Sequence, residues 1–281
     1  MAGSDRERWT VKNHRSKTAV IWSDTHASQH DKDAIKLAAK ITKSIGPDIF
    51  IHLGDAINCD AFSPWIIDPR AVGSFESECD DFVHDIIRPI DLAAPKAERH
   101  FIAGNHDEWL YRWACKNAPQ LVYSKRWALS SLLGLDQFGF KLHSRIMPYN
   151  HDPKAPYLPP EPLRLGSLYL MHGHEEKRLA TGNRVNIAKA YLQFFNCNLI
   201  IGHWHKSQQD SIVDMKGDVR SCWVASCLQG KQVSYSMLPQ WTQGIIAVDF
   251  YEKFFHVEPI NFLREKGRGK PFALWHGKLY E

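Results

Sequence analysis

No stretch of the 281-residue chain runs unbroken through the roughly twenty apolar residues that a bilayer-spanning helix needs. The opening "MAGSDRERWTVKNHRSK" is charged where a secretory signal has an apolar centre, so the expected compartment is the cytoplasm and no membrane association is expected. Cysteine is sparse: the six residues Cys59, Cys79, Cys115, Cys197, Cys222 and Cys227 are scattered without a C-x-x-C pair. That argues against a disulfide framework or a thiolate zinc site and leaves most of them as core thiols. Charge of one sign is in no great excess either. A formal net charge of +4 tolerates a polyanionic partner without demanding one. No internal repeat divides the chain. What is plentiful is apolar side chain, at 44% hydrophobic residues, enough for the core of one large domain.

"TAVIWSDTH" is an apolar run ending in polar residues, and in the following "DKDAIKLAAKITKSIGPD" Ile35, Ala38, Ile41 and Ile45 recur at helical spacing until Gly-Pro stops the helix. "IFIHLGDAIN" repeats the strand signal. "SFESECDDFVHDIIRPI" repeats the helix, with Phe75, Cys79, Phe82, Ile86 and Ile90 on one face, and "RHFIAGNHDEW" supplies a third strand. Strands alternating with crossover helices predict a parallel sheet whose ligands gather beyond the carboxyl ends of the strands. All three strands end in residues able to bind metal.

From Glu108 to Pro162 the pattern loosens into two helical stretches and a proline-dense loop, "MPYNHDPKAPYLPPEP", read as a cap insertion (108–162) within a single domain spanning 1–281. The core resumes with "GSLYLMHGHEE", a helix around "VNIAKAYLQFF" and the strand "NLIIGHWH". "SCWVASCL", "GIIAVDF" and "KFFHVEPINF" are expected to form one antiparallel meander. The tail, 263–281, is basic and is expected to be loosely ordered, with Phe272, Leu274 and Trp275 available to dock.

Asp24 and His26 of "SDTH" stand two apart, as do His203 and His205 of "GHWH". In an extended segment, residues at that spacing project from one side, with origins roughly 6.6 Å apart. That separation suits gripping two ions about 3.5–4 Å apart, one histidine per metal. Asp55 of "LGDAIN", Asn105 of "AGNHD" and His172 of "LMHGH" add oxygen and nitrogen donors from neighbouring strand ends.

With D-x-H, G-D, G-N-H-D, a later histidine and G-H-x-H present in that order, the chain resembles the calcineurin-like metallophosphoesterase superfamily over residues 18 to 260. The resemblance implies a four-layer α/β/β/α sandwich with a helical and loop cap. It implies one metal held by Asp24, His26, His205 and a bridging Asp55, and a second held by Asp55, Asn105, His172 and His203. His106 would be the general acid for the departing oxygen. Asn58, where relatives carry an aspartate, would orient its ring. Gly54, Gly104 and Gly202 would let the backbone turn sharply beside the ligands.

The implied activity is hydrolysis of a phosphate ester by metal-activated hydroxide. Two divalent ions, less the charges of Asp24, Asp55 and the hydroxide, leave a net positive centre that attracts phosphate. The donor set favours manganese, iron or zinc over magnesium or calcium, with manganese the working choice. The missing arginine after Asp55 disfavours phosphoprotein hydrolysis. The cap and basic tail favour a phosphodiester, such as a nucleotide or nucleic acid, and Asn105, His106, Arg112 and Arg178 are the candidate substrate contacts. The alternatives are a small phosphomonoester and, in another class, a non-catalytic protein-binding scaffold.

Each element has an ordinary reading. Single histidines among fifteen are mostly packing residues, and Asp55 and Asn105 are common turn residues; only the matched set reverses this. His52 and His174 are read as packing residues, with His174 touching the cap. Trp109, Trp113 and Trp127 are read as helix packing rather than base stacking, Trp204 as wall packing because it alternates with its flanking histidines, and Arg112, Lys177, Arg178 and Arg184 compete with a solvated-charge role.

Overall fold

The computed structural model describes residues 17–70, 72–144, 162–180, 185–213, 215–230, 240–252, 254–265 and 269–281. The first half of the chain alternates strand and helix as its periodicity predicts. β1 (Lys17–Trp22) leads to α1 (Lys32–Ile45), then β2 (Ile49–His52) to α2 (Phe75–Asp81), which continues through a π-helical stretch (Phe82–Ile87) into α3 (Arg88–Ala93). β3 (Glu98–Ile102), α4 (Asn105–Asn117), α5 (Leu129–Leu132) and β4 (Phe140–His143) follow. The capping chemistry is local. Asp31 accepts from the backbone N–H groups of Asp33 and Ala34 at 3.2 and 3.0 Å, and Gly46 closes α1 in a left-handed conformation (φ 59°).

The second half supplies β5 (Leu163–Leu165), β6 (Leu168–Met171), α6 (Lys177–Ala180), α7 (Ile187–Phe195), β7 (Asn198–Ile201), β8 (Gln208–Val213) and β9 (Val219–Val224). β10 (Gln243–Phe250), β11 (Phe255–Phe262), β12 (Ala273–Trp275) and β13 (Lys278–Tyr280) end the chain. Two large sheets, ordered β11-β10-β1-β2-β3-β4 and β5-β6-β7-β9-β8, form among the described residues beside the two-stranded β12-β13. β1, β2, β3 and β4 run parallel, as do β6, β7 and β9.

Residue alternation sorts the core into three layers. Ala19 and Ile21 of β1 and Ile49 and Ile51 of β2 face Leu168, Leu170 and Ile200 of the other sheet. Val20, Trp22 and Phe50 point the opposite way, against Ile35, Ala38 and Ile41 of α1 and Phe82, Ile86 and Ile90 of the second helical run. Leu199 and Ile201 pack against Ile187, Tyr191 and Leu192 of α7. Both faces of the inner strands are therefore buried, which is why they read as unbroken apolar runs. The expected α/β/β/α layering is the observed one. Each fully buried large aliphatic side chain contributes about 1.5–3 kcal/mol to it.

Three expectations need correction. The three late segments do not form one meander: β9 sits between β7 and β8 in the second sheet, while β10 pairs with β1 and β11 with β10 in the first. Apolar alternation marks a strand but not the sheet that receives it. Second, the range 108–162 is not wholly a cap, because β4 lies at the edge of the main sheet and Leu129, Leu133 and Leu135 enter the helix-side core; residues 145–161 lie outside the described residues. Third, the tail over 269–281 is not loose. β12 and β13 form a hairpin with Tyr280 buried, its hydroxyl 2.8 Å from Ser44 Oγ, and Trp275 Nε1 donates to Glu258 at 2.9 Å. Leu274 stays exposed.

Candidate metal centre

The loops leaving β1 and β2 are zipped together by their own backbones: Asp24 N–H donates to Gly54 O and His26 N–H to Asp55 O, both at 3.0 Å. This places Asp24, His26 and Asp55 side by side, all three buried. The segment after β7 closes on them from the other sheet, where the His203 N–H reaches both carboxylate oxygens of Asp24 at 3.1 Å. α4 arrives from the remaining side, its His106 N–H donating to Asp55 Oδ1 at 2.9 Å.

The extended-spacing argument for the two paired motifs does not survive. Asp24, His26, Asp55, His203 and His205 all have positive φ, from 46° to 68°, so none of them sits in an extended segment. For such side chains this backbone region is costly and recurs where function over-determines conformation. The glycines are also explained differently. Gly54 has φ 95° and is the one of the three in a left-handed turn. A Cβ on Gly104 would collide with Asp55, and one on Gly202 with Ser23 and Asp24, so these two are small because carboxylates pass close by.

Among the described residues three donor groups converge, each with ligand atoms within 4.8 Å of one another: Asp24, His26 and His205; Asp55, His172 and His203; and His26, Asp55 and His106. His205 and His203 fall in different groups. Asp55 belongs to two groups, lying between them, with its Oδ2 3.2 Å from His172 Nε2 and 3.8 Å from His26 Nε2. His26 and His205 present their Nε2 atoms to each other at 3.3 Å.

Main-chain and amide acceptors set the tautomers. His172 Nδ1–H donates to Leu53 O at 2.6 Å and His26 Nδ1–H to Asn58 Oδ1 at 3.2 Å, which turns the Nε2 atom of each ring toward the centre. His106 donates its Nδ1–H to the main-chain carbonyl of Asn58 at 2.7 Å. Asn58 therefore meets His106 through its backbone carbonyl, while its side chain contacts His26 and bonds Asp60. The ring of His106 also lies over Trp109, with centroids 3.9 Å apart.

The carboxylates and imidazoles shift one another strongly. Burial alone would raise the Asp24 carboxyl, yet the adjacent His205 imidazole holds it at about 2. Burial likewise works against charge on His205, and Asp24 pushes that imidazole up to about 10. Asp55 and His172 repeat the relationship, the carboxyl driven well down and the imidazole well up against the opposing effect of burial. Burial, reinforced by His172, lowers His203 to about 3 and keeps it a neutral donor. The Oδ1 atom of Asn105 is buried without a hydrogen-bond partner. A buried acceptor left unpaired, confronted imidazole nitrogens and two buried carboxylates fit a pair of metal ions, which would displace the imidazole protons on binding.

The model of the calcineurin-like phosphoesterase family matches residues 18–280. The chain belongs to the calcineurin-like phosphoesterases. It is 25% identical over 207 residues to the Gene 54 protein of Mycobacterium phage D29, covering 68% of this chain and 70% of that one. Among solved structures, Vps29 from Chaetomium thermophilum aligns at a TM-score of 0.43 and 9% identity, over 95% of this chain and 97% of its own. A dimetal phosphatase from Danio rerio aligns at 0.41 and 12%, over 88% of this chain and 96% of its own.

In this calcineurin-like phosphoesterase the remaining candidates are less central. Arg112 is tied to Glu108 at 2.8 Å, one helical turn along α4. Arg178 pairs with Glu176 at 3.0 Å and lies over the Phe194 ring. Both arginines have partners other than a substrate, and Arg184 lies outside the described residues. His52 is a core residue, stacked on Phe101. Trp204 packs on the α7 side, its Nε1 3.4 Å from the Tyr191 hydroxyl, although the chain there is not extended. His174 meets Glu108, at the start of the expected cap.

Sequence reasoning gave no role to Asp107. Fully buried, it accepts from Gly104 N–H at 2.8 Å and Ala56 N–H at 2.9 Å, and so clamps the two loops that carry Asp55 and Asn105. Burial, then the nearby Asp55 charge, pushes its carboxyl up to about 8. The last letter of G-N-H-D was the available signal. Glu175 was missed as well: its two oxygens accept from the backbone N–H groups of His172 and Gly173 at 2.8 and 2.6 Å. No periodic or motif feature announces such a contact.

Proposed function

We propose that this phosphoesterase hydrolyses phosphodiesters at a dinuclear centre, with Asp24, His26 and His205 holding one ion, Asn105, His172 and His203 the other, and Asp55 shared. The observation that carries the reading is the position of Asp55, whose Oδ2 lies 3.2 Å from His172 Nε2 on one side and 3.8 Å from His26 Nε2 on the other. Two bound divalent ions would supply positive charge for the phosphate and hydroxide near neutral pH for in-line attack.

His106 acts on the leaving group. Its Nδ1–H is committed to Asn58 O, so Nε2, 4.0 Å from Asp55 Oδ2, is the nitrogen that hands a proton to the departing alkoxide as the phosphorus–oxygen bond breaks. Trp109 against the ring fixes its plane. A proton donor matters most for poor leaving groups such as sugar hydroxyls, which is the reason for favouring a diester over an activated monoester. Manganese is the preferred occupant on donor chemistry.

The test is metal content together with hydrolysis of bis-p-nitrophenyl phosphate and p-nitrophenyl phosphate in added manganese, for wild type and His106→Ala. The reading expects about two ions per chain and diester activity, with a His106→Ala loss that is small for these activated esters and reaches roughly 10²–10⁴-fold for a dinucleotide, added to the series for its alkoxide leaving group. Activity confined to the monoester would replace it with a phosphomonoesterase. A chain that binds no metal and hydrolyses none of these compounds would be a scaffold.

A further inference from the structure

A cavity of about 250 Å³ opens beside the centre, where the first turn of α4 meets the loop after β6. Ile102, Leu163, Leu170, Met171 and Phe195 form its apolar wall; Glu108, His143, His174, Glu175 and Glu176 form its polar wall. It adjoins the metal ligands on two sides. Glu108 lies one helical turn from Asn105, and the His174 ring is 5.4 Å from that of His172.

Glu108 is the unusual member. It is fully buried, with Oε2 bonded to Arg112 at 2.8 Å and 3.3 Å from His174 Nε2, while Oε1 is buried without any hydrogen-bond partner. His174 Nδ1 likewise makes no hydrogen bond, with Glu175 Oε2 3.9 Å away. A buried carboxylate oxygen left unpaired is costly, so a ligand donor that pairs it recovers that cost on binding. The described lining holds three carboxylates, Glu108 and Glu176 paired with Arg112 and Arg178 from outside it, and no lysine or arginine of its own with which to hold a phosphate.

We propose that this cavity receives the alcohol part of the phosphate ester, an amine-bearing and otherwise apolar group whose N–H donates to Glu108 Oε1. The proposal rests on the phosphoesterase reading for the position of the phosphate, but the binding step itself requires no hydrolysis. The donor chemistry is shared by two sources, the amino group of a heterocyclic base and a primary alkylammonium.

Adenosine, purine riboside (the same ring system without the amine) and n-butylammonium are titrated into the full chain by calorimetry or ligand-detected NMR. Adenosine is expected to bind at least about tenfold more tightly than purine riboside, the ratio that pairing one buried acceptor provides. Glu108→Gln, which reduces the charge on the acceptor, should narrow that ratio, and Leu163→Trp, which fills the cavity from its edge strand, should weaken adenosine about tenfold. Tighter binding of n-butylammonium than of adenosine, equally sensitive to Leu163→Trp, supports the proposal with the alkyl source. Equal affinities for adenosine and purine riboside without alkylammonium binding, no binding of any amine, or indifference to Leu163→Trp overturns it. If Glu108→Gln does not fold, the ligand pair and Leu163→Trp still decide. Hydrolysis of bis-p-nitrophenyl phosphate without amine binding sinks this pocket alone, whereas amine binding without hydrolysis or metal sinks the phosphoesterase reading.

Discussion

His106 is held by the main-chain carbonyl of Asn58, 2.7 Å from its Nδ1, while the Asn58 side chain contacts His26 instead. One residue therefore supports both the proposed acid and a proposed metal ligand, by separable groups.

Asn58→Ala separates them. The carbonyl remains, so turnover at saturating metal should stay within a few-fold of wild type, while metal affinity falls roughly 10–100-fold through the loosened His26 ring. Manganese titration of activity reads both quantities. A large loss at saturation with unchanged affinity would show that the side chain acts on His106 after all.

Asp55→Asn probes the carboxylate proposed to be shared. Removing its charge should weaken both ions together, giving sub-stoichiometric metal for the pair and activity at background. Elemental analysis showing one ion retained in full and the other lost would place Asp55 on a single metal.

Glu78 offers a pH test away from the centre. It accepts from the Cys59 N–H at 2.7 Å, and burial raises its carboxyl from 4.5 to about 7. Because the folded chain holds this proton more tightly than the unfolded chain, the contribution favours folding below about pH 4.5 and is lost as pH rises toward 7. The loss reaches about 3 kcal/mol at most. Glu78→Gln keeps the acceptor without the charge, so its stability relative to wild type should climb across that window in urea titrations. Parallel curves for the two proteins would contradict the burial effect.

Tyr280 tests the docked tail. Its ring is buried in the helix-side core and its hydroxyl meets Ser44. Tyr280→Ala should cost about 3–5 kcal/mol, in the range of other buried aromatic truncations, whereas Leu274→Ala, on an exposed residue of the same hairpin, should cost under about 0.5 kcal/mol. Equal effects from the two would mean the hairpin is not anchored.

Much of this was legible from residue order alone. Ile35, Ala38 and Ile41 recur at the helical period and pack as that period demands, and strands rich in apolar side chains marked a sheet buried on both faces. Asp24, His26, Asp55, His203 and His205 were recognisable from motif order, but their geometry was not, because a left-handed backbone at a non-glycine residue leaves no periodic trace. Sheet membership of β9 and β10 depends on long-range pairing. The burial of Tyr280 depends on a partner, Ser44, that lies 236 residues away in sequence. The service of Asn58 through its carbonyl rather than its amide depends on an atom that every residue type carries.

The bond from the His203 backbone to the Asp24 carboxylate joins positions 179 apart, one borne on each sheet. A fragment carrying only the first sheet would own Asp24, His26 and Asp55 yet lack the partners that make them a cage. Metal uptake should consequently appear all at once as the two halves of the molecule close on each other, and the ions, once seated, would act as a rivet through the middle of the sandwich.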